Sequence, residues 1–486
     1  MAFWNVVLIQ GLSTAAFTCC GYFCTLMSSP SETICALSTA PGIGAIALIR
    51  LSGQNAEAIV QPYFSRDLSK KESHQSVHGW LKSGEELIDD VVVTVYRAPR
   101  SFTGENTVEI ACHGSAYVQQ RILELLLNAG ARMAQPGEFT MRAFLNGRMD
   151  LSQAEAVGDL IASESAAAHK QALHQMRGGF SKEINQLRER LVHFASMVEL
   201  ELDFAEEDVE FANRDQLTKL VVEILGVVDS LKESFKLGNA LKNGVPVAIL
   251  GAPNAGKSTL LNALLNEERA IVSDIAGTTR DTIEDHITLG GIRFNFIDTA
   301  GIRQTTDTIE KIGIGRAFEK AKTASVLLLL FDATMTTYEE YRLFRNQLEA
   351  EAGEEKLIIS LANKTDLPAF EETNFAINFS DVENLILISA KSRHHIDDLK
   401  EALMRCVNIG RINSGETIVT NARHHEALSK ASVSLNEILR GIENGITGDF
   451  LAIDIRKTIF HLAEITGEIN ADDLLHNIFS KFCIGK

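Results

Sequence analysis

Apolar residues recur along this chain in three rhythms, and the changes of rhythm mark its organisation. Between 33 and about 148, short runs rich in β-branched residues at 44–50, 90–96 and 106–110 are bounded by Gly, Pro or Ser and predict strands. Residues 117–129 carry a helical period, so this first unit reads as α+β. After Asp150 the period lengthens. Ile184, Leu187, Leu191, Phe194 and Val198 recur at three- and four-residue steps, as do Leu217, Leu220, Ile224, Val228 and Leu231, which predicts long amphipathic helices. Near 244 strands separated by helices take over and continue to about 404. Leu428, Ala431, Leu435, Ile438 and Ile442 then restore the helical stripe, and a second helical stretch follows. Two helical blocks flanking an α/β block predict a nucleotide-type domain inserted into a helical one. The expected boundaries are 28–148 for the α+β unit, 149–243 and 405–486 for the helical segments, and 244–404 for the inserted domain.

Composition fits this multidomain picture: 486 residues, 45% hydrophobic and 23% charged, describe a globular chain of several units. A net charge of −18 disfavours a nucleic-acid binder that works by bulk positive charge, so any such substrate needs a local patch or a basic partner. The seven cysteines show no metal-ligand spacing, and a reduced, cytoplasmic setting is expected. The first charged residue is Glu32. Residues 1–27 resemble an apolar leader but lack a basic n-region and are broken by Asn5, Gln10, Gly11, Ser13, Thr14 and Gly21. They are read as upstream translation ahead of a true start at Met27, with a targeting segment or an ordinary extension as the alternatives, and no membrane role is expected.

The chemistry is concentrated in the α/β block. The buried-strand run 245–250 feeds into Gly251-Ala252-Pro253-Asn254-Ala255-Gly256-Lys257-Ser258 and then a helix from Thr259, the context a phosphate-binding loop requires. Its glycines let backbone N–H groups close on a β-phosphate at a helix amino terminus. Lys257 is placed to bridge β- and γ-phosphates, and the Ser258 hydroxyl to coordinate Mg²⁺. Asp298-Thr299-Ala300-Gly301 follows a second strand, with the Asp in the outer shell of the metal and the Gly amide sensing the γ-phosphate. Asn363-Lys364-Thr365-Asp366 follows another. The Asp366 carboxylate can accept from guanine N1–H and the 2-amino group, a pair that adenine lacks, so the expected nucleotide is GTP. Ser389-Ala390-Lys391 completes the base pocket.

Between these lies Ser273-Asp274-Ile275-Ala276-Gly277-Thr278-Thr279-Arg280-Asp281, an irregular segment in which Thr279 is the expected switch ligand to Mg²⁺. Many GTPases place a water-orienting Gln directly after Asp-x-x-Gly; here that position is Ile302. Hydrolysis therefore needs another group. Glu310 on the following helix can polarise water, though by spacing alone it equally suits a solvated helix residue, and a monovalent cation can stabilise the developing charge.

Together with the terminal Phe482-Cys483-Ile484-Gly485-Lys486, these motifs resemble the MnmE (TrmE) family of tRNA-modifying GTPases. Ser101-Phe102-Thr103-Gly104-Glu105 and the block from Pro136 to Leu151 resemble that family's amino-terminal signatures, and the likeness spans roughly 30–486. The resemblance implies a folate-binding, dimerising α+β domain and an all-α helical domain carrying an inserted P-loop, Ras-like α/β GTPase domain. It implies that a homodimer, with an FAD-dependent MnmG-type partner in a heterotetramer or larger, adds an aminomethyl or carboxymethylaminomethyl group to C5 of the wobble uridine of certain tRNAs. The carbon donor would be a tetrahydrofolate derivative of the 5-formyl or 5,10-methylene kind.

By motif position, the implied folate contacts are Arg50, Glu109, Lys486 and Arg148, where the family usually has Lys. K⁺ would be held by Asn254, Ser273, the Ile275 carbonyl and Thr278, and Glu310 falls on the family's catalytic glutamate. Cys483 stands either as a reactive thiol or as a small apolar tail residue. Adjacent strand residues point to opposite faces, which disfavours a Cys112-His113 dyad. His394-His395 and His424-His425 read as surface pairs. The acidic run 199–208 suits a solvated helix end better than a cation or basic-partner site. The alternatives are a regulatory GTPase of ribosome assembly, which would not need the folate blocks, and a folate-dependent one-carbon transferase whose GTPase domain is merely regulatory.

Overall fold

A computed structural model describes residues 32–203, 214–266, 285–297, 321–352, 356–407 and 417–468, and near the carboxyl end 475, 478–480 and 482–485. The leader 1–27 and much of the 199–208 acidic run lie outside them. The chain divides into two compact units, 1–154 together with 469–486, and 155–468.

In the first unit, β1 (Ile34–Leu37), β2 (Ile46–Ser52), β3 (Gln75–Ser83), β4 (Glu86–Tyr96), β5 (Thr107–His113) and β6 (Arg132–Met133) form one sheet of order β3-β4-β5-β2-β1-β6. All neighbours are antiparallel except β1 and β6. Period-two alternation sets the faces: Ala47, Ile49 and Leu51 of β2 and Val108, Ile110 and Cys112 of β5 are buried, packing with Ile122, Leu125 and Leu126 of α2 (Ala116–Asn128). The intervening residues, Arg50 and Glu109 among them, face the other way. A short α1 (Ala56–Val60) precedes β3, and α3 (Glu138–Leu145) follows β6.

The helix α4 (Leu151–Ala162) leads into α5 (Ala166–Met176), α6 (Gly179–Asp203) and the 30-residue α7 (Arg214–Asn243). With α12 (Ala422–Glu443) and α13 (Gly448–Thr466), the last two build an all-α core in which α12 packs on α7 and α13, and α13 on α6. The predicted stripes meet there: Ile184, Leu191, Val228, Leu428 and Leu435 are fully buried. Asn421 starts α12 by accepting a hydrogen bond from Arg423 N at 3.0 Å.

Between α7 and α12 stand β7 (Val245–Gly251), α8 (Lys257–Asn266), β8 (Asp285–Leu289), β9 (Ile292–Phe296), β10 (Val326–Asp332), α9 (Tyr338–Ala352), β11 (Leu357–Asn363), α10 (Glu372–Asn378), β12 (Leu385–Leu387) and α11 (Ile396–Arg405). The sheet order is β12-β11-β10-β7-β9-β8, parallel apart from the β8–β9 pair. The apolar run of β10 explains its central place. Val326, Leu328 and Leu330 enter one core, Leu327, Leu329 and Phe331 the other, as a parallel strand covered on both faces requires. The long helix α7 joins both regions, with Leu231 in the helical core and Leu237 and Leu241 in the α/β core. Among the described residues no helix is long and apolar enough to cross a membrane.

Candidate functional site

The loop between β7 and α8 is shaped by two glycines that no other residue replaces without strain. Gly251 has φ +154°, and a Cβ there would lie 1.9 Å from the Leu330 carbonyl oxygen of β10. Gly256 has φ +105°, and its Cβ would lie 2.3 Å from Asn363 Nδ2. Asn254 takes a left-handed φ of +57°. Lys257 arches back over the loop and donates from Nζ to the carbonyls of Gly251 at 2.8 Å and Ala252 at 2.9 Å. The ammonium is therefore held at the loop mouth, where phosphate oxygens can replace the two carbonyls. Ser258 and Thr259 open α8 beside it.

Asn363 ties this loop to the base pocket. Its Nδ2 donates to Ala255 O at 2.7 Å and its Oδ1 accepts from Ala390 N at 3.0 Å, so Asn-Lys-x-Asp, the phosphate loop and Ser389-Ala390-Lys391 form one connected frame. Lys364, at φ +70°, donates to Asp332 Oδ2 at 2.6 Å. Burial pushes the Asp332 carboxyl up, but the hydrogen bonds from Lys364 and Thr334 outweigh it and hold the group below its ordinary range. Ser389 Oγ donates to Asp366 Oδ1 at 2.7 Å and holds that exposed carboxyl below its ordinary range, favouring the ionised state in which it accepts two N–H donors. Among the expected nucleotide and metal residues, Ser273, Asp274, Ile275, Ala276, Gly277, Thr278, Thr279, Asp298, Thr299, Ala300, Gly301 and Glu310 lie outside the described residues. Of the expected metal ligands, Asn254 and Ser258 are described, the first on the loop and the second in the first turn of α8.

A second polar site lies on the first unit. Arg50 and Glu109 are direct partners across β2 and β5, with Nε donating to Oε1 at 2.8 Å, and Tyr96 OH donates to Glu109 Oε2 at 3.1 Å. The Arg50 guanidinium stands 5.5 Å from the Phe102 ring centroid and 5.7 Å from that of Phe139. Beyond it, the buried Arg142 of α3 bridges Glu105 and Glu138 at 3.0 Å each, and Ser52 Oγ donates to Glu105 Oε2 at 2.7 Å. Arg132 also holds Glu138 at 2.6 Å. Against the upward push of burial, Arg132, the Gln135 amide and Arg142 keep the Glu138 carboxyl low.

The carboxyl-terminal segment docks on this unit. Gly485, at φ +95°, approaches so closely that a Cβ would lie 2.2 Å from Leu37 O, and Ser38 Oγ donates to Gly485 O at 3.2 Å. Phe479 and Phe482 pack on Gly137, whose N–H reaches Cys483 O at 3.4 Å. Cys483 is exposed, and Lys486 lies outside the described residues. Arg148 is exposed, with its stem against Gly104 beside Glu105.

Sequence reasoning singled out Arg50, Glu109 and Arg148 here but missed Tyr96, Glu105, Glu138 and Arg142. The last three stand in the quoted signature blocks, yet only the fold shows that they face one another. One expectation is corrected. His424 is not a surface residue: it is fully buried, with Nε2 2.7 Å from Glu155 Oε2 and its ring 5.1 Å from that of Phe180. His425 is half-buried and stacks on Phe235, whereas His394 and His395 are exposed. Cys112 is buried with its thiol pushed up to about 11 by desolvation, and His113 is exposed and bound to Asp89 at 2.7 Å, so the two are not a dyad.

A family model described as the MnmE helical domain matches residues 151–483, and one described as the GTP-binding protein TrmE N-terminus matches 33–148. The chain belongs to the MnmE (TrmE) family. It is 53% identical over 471 residues to a tRNA modification GTPase MnmE of Christiangramia forsetii, covering 94% of this chain and 99% of that protein. Proteins of the same name from Cytophaga hutchinsonii (52%, covering 95% and 99%) and Bacteroides fragilis (51%, covering 94% and 99%) are similar throughout. The MnmE helical match begins at 151, the first residue of α4, and brackets the α/β block. The MnmE architecture is thus the α+β amino-terminal domain and the all-α domain with an inserted P-loop α/β domain, as the hydrophobic pattern suggests.

Proposed function

We propose that this chain is a K⁺-dependent GTPase that acts, as a homodimer in the cytoplasm and with an FAD-dependent MnmG-type partner, on the wobble uridine of certain tRNAs. The product carries an aminomethyl or carboxymethylaminomethyl group at C5, with a tetrahydrofolate derivative as carbon donor. One observation carries the reading: a base-pocket frame suited to guanine and, on the unit where the carboxyl-terminal tail docks, an Arg50–Glu109 cradle occur on one chain that matches MnmE relatives along almost its full length. A ribosome-assembly GTPase has no use for the second feature.

The described residues suit the groups they are asked to hold. The loop from Gly251 to Gly256 leaves no room for side chains at its two tightest points, which keeps its backbone open to phosphate, and Lys257 supplies the cation. Bound Mg²⁺ would supply charge neutralisation beside Ser258. Bound K⁺, with Asn254 among its ligands, would do the same for the charge that develops on the transferred phosphoryl group. Glu310 is assigned to orient water. On the first unit, the Arg50–Glu109 pair, with the Phe102 and Phe139 rings near the Arg50 guanidinium, offers a donor, an acceptor and aromatic faces, the chemistry a pterin ring calls for.

The deciding measurement is mass spectrometry of tRNA nucleosides from cells lacking the protein. The C5-modified wobble uridine is expected to fall to the background of the unmodified base; unchanged levels would exclude the reading. In vitro, replacing K⁺ by Na⁺ at constant ionic strength is expected to slow GTP hydrolysis by about tenfold or more, the scale of a lost charge-stabilising group in phosphoryl transfer. Equal rates would remove the cation from the assignment.

A further inference from the structure

Three acidic side chains, on α4 and the loop after it, lie where the inserted domain adjoins the helical one. The chain enters that domain from α7 through Lys242, Asn243 and Gly244, and returns to α12 through Ile418, Val419 and Thr420. Glu155 holds the first turn of α12, just past the return: its two carboxylate oxygens accept from Arg423 Nε and Nη2 at 2.9 Å each, and His424 Nε2 lies 2.7 Å away. One turn later, Asp159 takes the entry by accepting from Lys242 Nζ at 2.7 Å. In the following loop Glu164 pairs with Arg293 of β9, and Ala167 lies against the β8–β9 turn, where a Cβ on Gly291 would be 3.3 Å from it.

These holds differ in kind. The Glu155 group is the more enclosed: Glu155 and His424 are buried, and Arg423 is anchored further by donating to the Glu464 and Ile465 carbonyls. The contact at β9 is open. The Glu164 side chain is mostly exposed, while Arg293 Nε and Asn295 Oδ1 are buried with no hydrogen-bond partner among the described residues. Because His424 Nδ1 is likewise buried without a partner among the described residues, the exposure of Glu164 is what distinguishes the β9 contact as one open to a second arrangement. A cavity of about 30 Å³, lined by Asp159, Lys242, Gln171 and Thr420, leaves room beside the entry strand for a small shift. The position of β9 matters because it ends at Phe296, two residues before Asp298, the start of the loop expected to sense the γ-phosphate.

We infer that Arg293 and Glu164 are positioning residues that pass the nucleotide state of the inserted domain to the helical one, with Glu155, Arg423 and His424 as the pivot. The inference rests on the GTPase reading above and deepens it. Movement of β9 on nucleotide exchange shifts Arg293; Glu164 follows because it is the carboxylate that accepts from the guanidinium. The load then passes into α4, whose Asp159 and Glu155 hold the end of α7 and the start of α12.

Hydrogen–deuterium exchange of the full chain, in GDP and in a non-hydrolysable GTP analogue, tests this. In the wild type, amides at 163–169 are expected to exchange at rates that differ between the two states by about two- to tenfold, the size at which single positions tune coupling. In Arg293→Gln and in Glu164→Gln that difference disappears, while nucleotide protection at 251–258 remains. GTP hydrolysis by both stays close to the wild-type rate. The double exchange Arg293→Glu with Glu164→Arg restores the difference, which a purely structural role would not require. A loop indifferent to nucleotide in the wild type, or a difference that survives both single variants, overturns the inference alone. Loss of protection at 251–258 by guanine nucleotides in the wild type would instead sink the GTPase reading and the inference with it.

Discussion

Replacement of Asp366 by Asn is expected to turn a GTP site into one that prefers xanthosine triphosphate. The carboxyl is held below its ordinary range by the Ser389 hydroxyl, and in its ionised form it accepts from both N1–H and the 2-amino group in guanine binding. Two hydrogen bonds to a charged acceptor are worth about 3–6 kcal/mol together, or roughly 10²–10⁴ in affinity. An amide in the same place keeps one acceptor but sets its NH₂ against the 2-amino group, donor to donor. Xanthine carries a carbonyl at that position, which accepts from the amide instead. The frame should survive the change, because Asn363 still joins Ala255 to Ala390 and Lys364 still binds Asp332. Competition of GTP and xanthosine triphosphate for a fluorescent nucleotide reads the outcome. GTP affinity within about threefold of wild type would remove Asp366 from base recognition, since even one charged hydrogen bond exceeds that.

The parts of this molecule that could be read from the sequence are those in which one periodicity dominates. The run from Val326 to Phe331 has no polar residue because both faces of β10 are covered, and the helical stripes are plain because α6, α7 and α12 each bury one side. The phosphate loop was legible for a different reason: its chemistry is local, so the glycines, Lys257 and Ser258 stand together in sequence. β3 was not legible. Its sequence, Gln-Ser-Val-His-Gly-Trp-Leu-Lys-Ser, has one solvated face and a glycine where a Cβ would lie 2.7 Å from Ser65 Oγ, so close packing replaces the apolar signal.

The polar cradle of the first unit shows the same limit. Arg50 and Glu109 are 59 residues apart and meet only because β2 and β5 are neighbours in a particular register. Arg142 lies 37 residues from Glu105, and nothing in either local sequence marks the pair as buried. His424 next to His425 looks like a polar pair at a helix start; its burial depends on Glu155, 268 residues before its neighbour Arg423. Long-range pairing of charges is therefore the information that periodicity leaves out, and it is concentrated where function is proposed.

That pairing should be visible in stability. Glu155→Ala is expected to cost about 3–5 kcal/mol, because it leaves the half-buried Arg423 guanidinium without its carboxylate and the buried His424 without its acceptor. Burial alone would push the Glu155 carboxyl up, but His424 and Arg423 bring it from 4.5 to about 2. Burial also pushes His424 below its ordinary 6.5, which favours the neutral ring donating from Nε2 to Glu155, so Arg423 carries the positive charge of the cluster. Both shifts lie below the unfolded values, and their signs agree. The stability each provides is full above its unfolded value and is lost as pH falls, beginning below 6.5 for His424 and below 4.5 for Glu155. The carboxylate share is about 3 kcal/mol at neutral pH, consistent with the cost expected of the substitution. Thermal melts at pH 7 should therefore place the variant about 6–12 °C below the wild type, given the temperature shift per kcal/mol typical of units this large. On acidification from pH 4.5 the wild type should lose stability faster than Glu155→Ala, and the two curves should converge, since the variant has no carboxylate left to protonate. Parallel curves would mean that the carboxylate is not the group whose ionisation holds Arg423 and His424 in place.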